Sequence, residues 1–506
     1  MSNPKIIPFS DLKNLRLKVG DKSIVHCHGV YDLLHHGHLL HLKSAKKHGD
    51  FLVVTITPDR FVNKGPGRPR FSEIQRAEMI AALDVVDWVA INPFPKAMEA
   101  IKDLGPNCYV KGPDYKNKSS DITGGIDEEE AAVNSVGGIL VFTDDEVESS
   151  TELINEFFHQ RTPKQEQVIQ NIRNNIGLAK VLSIIESLED MTVLVVGEPI
   201  IDTYVFCNPE NLSSKSPSIS ANFIKEENYA GGSWAVARHL DALGCKVKLL
   251  CPIGDEPHAA ECMKEFKQTS SVEVIEVDSS GLPTPRKTRF IAPAMRQRMF
   301  ELTNLDAAQW AGAKLPQFNK HLNAIGNNSE AVLALDFGHG LWEGERIQGL
   351  VDLKSFLALN VQTNSGNYGY NFFHKHDHFD YLVLDEREMR LGMHDRFMPV
   401  AELAYMVSNK IKRSFVVTLG MEGSLYFPSS NVEPTLVPTY FQDPIDTTGA
   451  GDAFFAITAL LRQRKAPAEL IPFIGNIYAG LKTRIIGNKY AVSKIDLIRS
   501  INALLK

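Results

Sequence analysis

GVYDLLHHGHLLHLKSAKKHGD, residues 29–50, sets His35, His36 and His38 around Gly37, directly after the β-branched run SIVHCHG (23–29). The stretch reads as a strand, a tight turn and a helix start. A helix start offers unpaired backbone N–H groups and a partial positive charge, so Gly29 and Gly37 would let an anion approach the main chain closely. His35 and His38, three residues apart, would face the same anion, while His36 points elsewhere. Asp32 suits orienting the turn better than acting as a base.

Working outward, HLLHLKSAKKHG (38–49), DFLVVTITP (50–58), SEIQRAEMIAAL (72–83) and VDWVAIN (86–92) alternate helical and strand patterns. Strands joined by helices make a doubly wound parallel sheet, whose ligands sit at the carboxyl ends of the strands. TPKQEQVIQNIRNNIGLAKVLSIIESLED (162–190) changes character. Its apolar residues recur at helical spacing (Val168, Ile169, Ile172, Ile176, Val181, Ile184, Ile185, Leu188), and we read 152–190 as a helical connector. That stripe needs burial against one domain or against a second subunit, as in a homodimer. A second α/β alternation starts at MTVLVVGEPIIDTYVF (191–206) and continues to the C-terminus. The expected division is therefore 1–151, 152–190 and 191–506, in line with a chain of 506 residues, too long for one core. The His-rich NFFHKHDHFDY (371–381) reads as a solvated loop.

A formal net charge of -7 gives no global reason to expect nucleic acid. The six cysteines form no CxxC pair and lie mostly in apolar runs, which predicts buried free thiols in a reducing cytoplasm. MSNPKIIPFSDLKNLRLKVGDK lacks a signal-peptide core, and no apolar run nears the ~20 residues that span a bilayer.

GVYDLLHHGH resembles the G-x-[FY]-D-x-x-H-x-G-H signature of the nucleotidyltransferase superfamily that includes cytidylyltransferases, and strand–turn–helix is the context it requires. Further elements follow in order. NKGPGRPRF resembles the segment whose lysine and Arg-Pro pair line the nucleotide pocket (Lys64, Arg68), VKGPDY resembles the V-K-G-x-D-Y turn (Lys111, Asp114), and SSTELI the S-[ST]-T-x-[IL] element (Ser150, Thr151). The resemblance implies a Rossmann-like fold and attack of a phosphate monoester on the α-phosphorus of CTP or ATP. His35, His38 and Lys64 would be catalytic, with Gly29, Tyr31, Gly37 and Arg68 on the nucleotide and Mg²⁺ between the phosphates.

In the second half, PIDTTGAGDAFFAITALL (444–461) places Gly449, Ala450 and Gly451 at another helix start, predicting an anion hole with Asp452 beside it. DTTGAGD resembles the signature of the ribokinase-like sugar kinases, in which this aspartate is the general base. VVGEPIIDTY (Asp202), AGGSWAVARHLDALG (Gly231, Gly232), PTPRKTRF (Lys287, Arg289) and VVTLGMEGSLYF (Thr418, Gly420, Gly423) resemble that family's substrate and nucleotide elements. In LDEREMR, Asp385 and Glu388 stand for its N-x-x-E and would act on Mg²⁺ indirectly. Two places depart from the pattern: Ala235 replaces an expected Asn, and Asn360-Val361-Gln362 replaces D-P-[KR]. Altered substrate is the simplest explanation, and an idle ligand-binding or dimerisation module the second. Together the halves resemble the bifunctional heptose kinase/nucleotidyltransferases with the domain order reversed. That implies two transfer steps on a sugar or sugar phosphate.

Overall fold

The computed structural model describes residues 3–62, 68–112, 125–143, 161–212, 218–279, 281–293, 297–430, 432–441 and 444–505. The chain divides into two compact units, essentially 1–160 and 161–501. Both are α/β.

The first unit is a five-stranded sheet built from β1 (Ile24–Gly29), β2 (Phe51–Ile56), β3 (Trp88–Ile91), β4 (Cys108–Lys111) and β5 (Ile139–Phe142), in the order β3-β2-β1-β4-β5. Every neighbouring pair is parallel. The strand order reverses between β1 and β4, and their carboxyl ends, Gly29 and Lys111, flank the crevice where a doubly wound sheet takes its ligand. Val25, Cys27, Leu52, Val54, Ile80 and Val110 pack the core on one face.

The second unit contains β6 (Thr192–Gly197), β7 (Pro199–Leu212), β8 (Ile219–Gly232), β9 (Lys246–Ile253), β10 (Glu273–Asp278), β11 (Arg286–Ala292), β12 (Gln297–Asn304), β13 (Ala331–Asp336), β14 (Phe356–Val361), β15 (Tyr381–Asp385), β16 (Ser414–Thr418), β17 (Ser424–Phe427) and β18 (Thr435–Val437). Nine of them form a central sheet in the order β10-β9-β6-β13-β14-β15-β16-β17-β18, and the other four a second sheet, β12-β11-β7-β8. The helix Ala450–Gln463 lies over β13, β14 and β15. Its first turn therefore stands at the carboxyl ends of those strands.

The connector is two helices, Pro163–Asn175 and Leu178–Glu186, that group with the second unit. Ile169, Ile172, Val181, Ile185 and Leu188 are fully buried there, and Gln165 Nε2 donates to the Thr439 carbonyl. Most of the apolar stripe is thus covered within its own unit, with Val168 and Ile176 half-buried.

The His-rich stretch is not a solvated loop. Asp336, at the end of β13, is buried and draws polar side chains inward: His376 Nε2 lies 2.7 Å from its Oδ2 and Lys375 Nζ 3.2 Å from the same atom. Phe373 and Phe379 join the core beside it. All six cysteines are free and buried. Among the described residues no helix is long and apolar enough to cross a membrane.

Candidate functional sites

In the first unit, β1 ends at Gly29 and the chain turns through Tyr31 (φ 51°) and Leu33 (φ 54°), left-handed conformations unusual for such side chains. His35 caps the helix His36–Lys46, its Nδ1 accepting from the Gly37 N–H at 3.2 Å, while the His35 N–H donates to His38 Nδ1 at 3.5 Å. This reciprocal cap brings the two rings to a centroid separation of 3.9 Å, with Tyr31 edge-on to His38. His36 is exposed and stands apart. The helix start thus presents paired imidazoles over the crevice.

Asp32 is buried and spent on shape. Its Oδ2 accepts from Arg68 Nε at 2.6 Å, and its Oδ1 from the Arg70 and Phe71 amides at 2.8 and 3.2 Å. Arg68, placed on the nucleotide by sequence, is therefore anchored by a carboxylate and only 5% exposed. Breaking a buried pair leaves an uncompensated charge. Arg68→Met is expected to destabilise the first unit by about 3 kcal/mol in urea denaturation; an unchanged midpoint would show that Asp32 needs only its amide donors. Lys111 is likewise held, 2.8 Å from Glu129 Oε2. Lys64, Asp114, Ser150 and Thr151 lie outside the described residues.

Sequence reading passed over Arg76, which is fully buried and donates to the Val30, Thr57 and Phe71 carbonyls and to Asp59. It ties the turn after β1 to the end of β2. An arginine on the same helix face as Ala77 and Ile80 was the available signal. His26 and His28 share Thr55 Oγ1, each at 2.8 Å, and burial pushes both down, His26 to about 3, so they stay neutral.

In the second unit a cavity of about 220 Å³ is lined by Asn360, Gln362, Asp385, Glu388, Thr418, Gly449, Gly451 and Asp452, among others. A larger one of about 750 Å³ beside it shares Asp385 and Thr418 and adds Gly420 with Arg387, Arg390 and Arg396. Asp452 is buried in the first helical turn; Gln362 Nε2 donates to its Oδ1 at 2.9 Å and to Asn360 Oδ1 at 2.9 Å. Burial raises the Asp452 carboxyl to about 6, Asp202 adding to the effect and the Gln362 hydrogen bond opposing it. Gln362, at the carboxyl end of β14, is a site residue the sequence presented only as a departure.

The amides at this turn are fewer than sequence implied. Ala450 N–H donates to the Thr447 carbonyl at 3.2 Å, closing a tight turn, and Gly449 and Gly451 line the cavity. Gly423 (φ 106°) makes the β16–β17 turn and is not among the cavity residues.

Asp202, Arg289, Gly231 and Gly232 come together. Arg289 Nη1 donates to Asp202 Oδ1, and Asn488 Nδ2 to Oδ2 at 3.0 Å. A Cβ on Gly231 would lie 2.2 Å from Asp202 Oδ2, and one on Gly232 (φ 60°) 2.6 Å from the Glu198 carbonyl. Overpacking of that kind is costly, so Gly231→Ala is expected to lose about 1–3 kcal/mol in thermal denaturation and to displace Asp202; wild-type stability would show that the carboxylate can yield. Lys287 is held below its usual range by burial, with Asp202, Glu301 and Asp452 pulling the other way. Ala235 is buried in the helix Ser233–Ala242 that follows the glycines.

Asp385 and Glu388 cap one helix reciprocally: Asp385 N–H donates to Glu388 Oε2 at 2.7 Å and Glu388 N–H to Asp385 Oδ1 at 2.6 Å. Burial raises both carboxyls. Among the described residues no group of three or more His, Cys, Asp or Glu side chains is placed to hold a metal. Mg²⁺ commonly keeps several waters and takes only one or two carboxylates besides substrate phosphates, and two carboxylates on the cavity wall fit that role.

Both units thus share one device, a glycine turn into a helix start at the carboxyl ends of parallel strands, which defines phosphate-handling α/β domains. The cytidylyltransferase-like family model matches residues 26–156, and that of the pfkB family carbohydrate kinases matches 374–484. The chain thus carries a cytidylyltransferase-like region, residues 26–156, followed by a pfkB-like region, residues 374–484. It is 44% identical over 116 residues to the bifunctional protein HldE of Campylobacter fetus subsp. fetus, and 40% over 119 residues to that of Helicobacter pylori. Those matches cover 22% and 23% of this chain and about a quarter of the relatives' length (25% and 26%). The phosphofructokinase-2 of Escherichia coli, solved with substrates and products, superposes with a TM-score of 0.51 at 14% identity, covering 62% of this chain and all of that one. This establishes a ribokinase-like fold for the second unit.

Proposed function

We propose that the chain is a bifunctional enzyme of nucleotide-sugar synthesis. The second unit would phosphorylate a sugar or polyol, heptose-like in the family it resembles, with ATP. The first would transfer a nucleotidyl group from CTP or ATP to the resulting phosphate. One observation carries the reading: two separate glycine turns, each with its reactive side chains already gathered, His35 with His38 and Asp452 with Gln362.

In the kinase step Asp452 takes the proton of a sugar hydroxyl as its oxygen attacks the γ-phosphorus, and ADP leaves. Gly449 and Gly451 donate amides to the phosphoryl oxygens. Bound Mg²⁺ would neutralise phosphate charge, with Asp385 and Glu388 holding its waters. In the second step a sugar-phosphate oxygen attacks the α-phosphorus of the NTP and pyrophosphate leaves. His35 and His38 stabilise the charge that builds there, and positioning supplies most of the rest.

A second reading has its own support. Asp202 and Arg289 neutralise each other, and Gln362 brings no charge where the resemblance expects a cation. On that reading the second unit binds a ligand or a second copy without turnover. Sugars and sugar phosphates offered with all four NTPs, with ADP and pyrophosphate detected separately, decide the matter. Both products support two activities; pyrophosphate alone across a broad panel supports the second reading, and neither product removes both.

A further inference from the structure

Lys482, the last residue of the helix Leu470–Lys482, has no exposed surface. Its ammonium donates to the Thr448 carbonyl at 2.8 Å and to the Gly487 carbonyl at 2.7 Å. No carboxylate is within ion-pair distance of it among the described residues. Burying a charge without a paired countercharge is expensive, and burial pushes this ammonium down to about 8, with Asp446, Asp452 and Asp202 opposing that at longer range. Asp446 is already paired with Arg298 and Asp202 with Arg289. Asp452 takes a hydrogen bond from the neutral Gln362, and Lys482 and Lys287 are the cations that act on it at longer range.

The geometry has a direct consequence for the phosphate turn. The Thr448 carbonyl and the Gly449 N–H belong to one peptide plane and point opposite ways when it is trans. Holding that carbonyl on the Lys482 side turns the Gly449 N–H to the opposite side of the peptide plane, and Gly449 lines the cavity. The packing is close: a Cβ on Gly449 (φ 76°) would lie 3.3 Å from Lys482 Cε and 2.5 Å from Asn488 Oδ1.

We infer that Lys482 is an internal cation that positions the Thr447–Gly451 turn for a phosphoryl group and supplies positive charge beneath it. The inference rests on the kinase reading above and adds to it a residue no sequence motif marked. Lys482 acts through the turn, as a positioning residue.

The test reads hydrogen–deuterium exchange of the peptide spanning Thr447–Asp452 with increasing MgATP, which separates this unit from the first, together with kcat and KM for ADP formation. Lys482→Met keeps the volume and removes the charge; Lys482→Ala leaves room for a small amine. Wild type is expected to protect the peptide. Lys482→Met is expected to need about 10- to 100-fold more MgATP and to lose kcat by a similar factor, with KM for the sugar little changed. Methylammonium is expected to restore protection in Lys482→Ala, and tetramethylammonium, too large and without N–H donors, is not. Wild-type protection in a folded Lys482→Met protein overturns the inference and leaves the kinase reading standing. So does a Lys482→Ala defect that methylammonium does not reduce. No protection of wild type by MgATP would remove the kinase reading and this inference together.

Discussion

Asp452→Asn is expected to lower ADP formation by about 10²- to 10⁴-fold, the range for loss of a positioned general base, while pyrophosphate release from added sugar phosphate is unchanged. Asn keeps the shape, and its side-chain oxygen can still accept from Gln362, which now bonds Oδ1 at 2.9 Å. It also removes a charge from a place where burial, and after it Asp202, already raises the carboxyl, so the fold should survive. The acid limb gives a second signature. A base works only when deprotonated, and with the carboxyl raised to about 6, ADP formation by wild type should climb as pH rises through that value and fall about tenfold per unit below it. The residual activity of Asp452→Asn should lack that limb. Equal turnover of the two proteins would remove Asp452 as base.

His35→Asn with His38→Asn is expected to cut pyrophosphate release by about 10²- to 10³-fold, the scale of losing donors aimed at developing phosphate charge. Asn is among the best N-caps, so the cap that His35 supplies to the Gly37 amide has a replacement. Secondary structure by circular dichroism should match wild type and ADP formation should persist. Untouched pyrophosphate release in the folded double variant would end the nucleotidyltransferase reading of the first unit.

Each glycine turn was legible because it is local. Strand, glycine, polar side chain and apolar helix follow one another within a dozen or so residues, and hydrophobic periodicity is a sequence property. The parallel α/β class of both units followed from the same alternation. The His-rich stretch went the other way, since its composition says solvent while Asp336, some 40 residues earlier, draws His376 and Lys375 inside.

What the sequence determined by itself, then, is the two α/β folds, the turns that end their strands, and the residue types able to meet a phosphate. Only the tertiary structure decided how those residues are partnered: Arg68 on Asp32, Asp202 on Arg289, Gln362 against Asp452, and Lys482 beneath Gly449. The physical reason is range. Periodicity and turn chemistry act between neighbours along the chain, whereas a buried charge is stabilised by whatever group the fold delivers to within about 3 Å, from any distance in sequence.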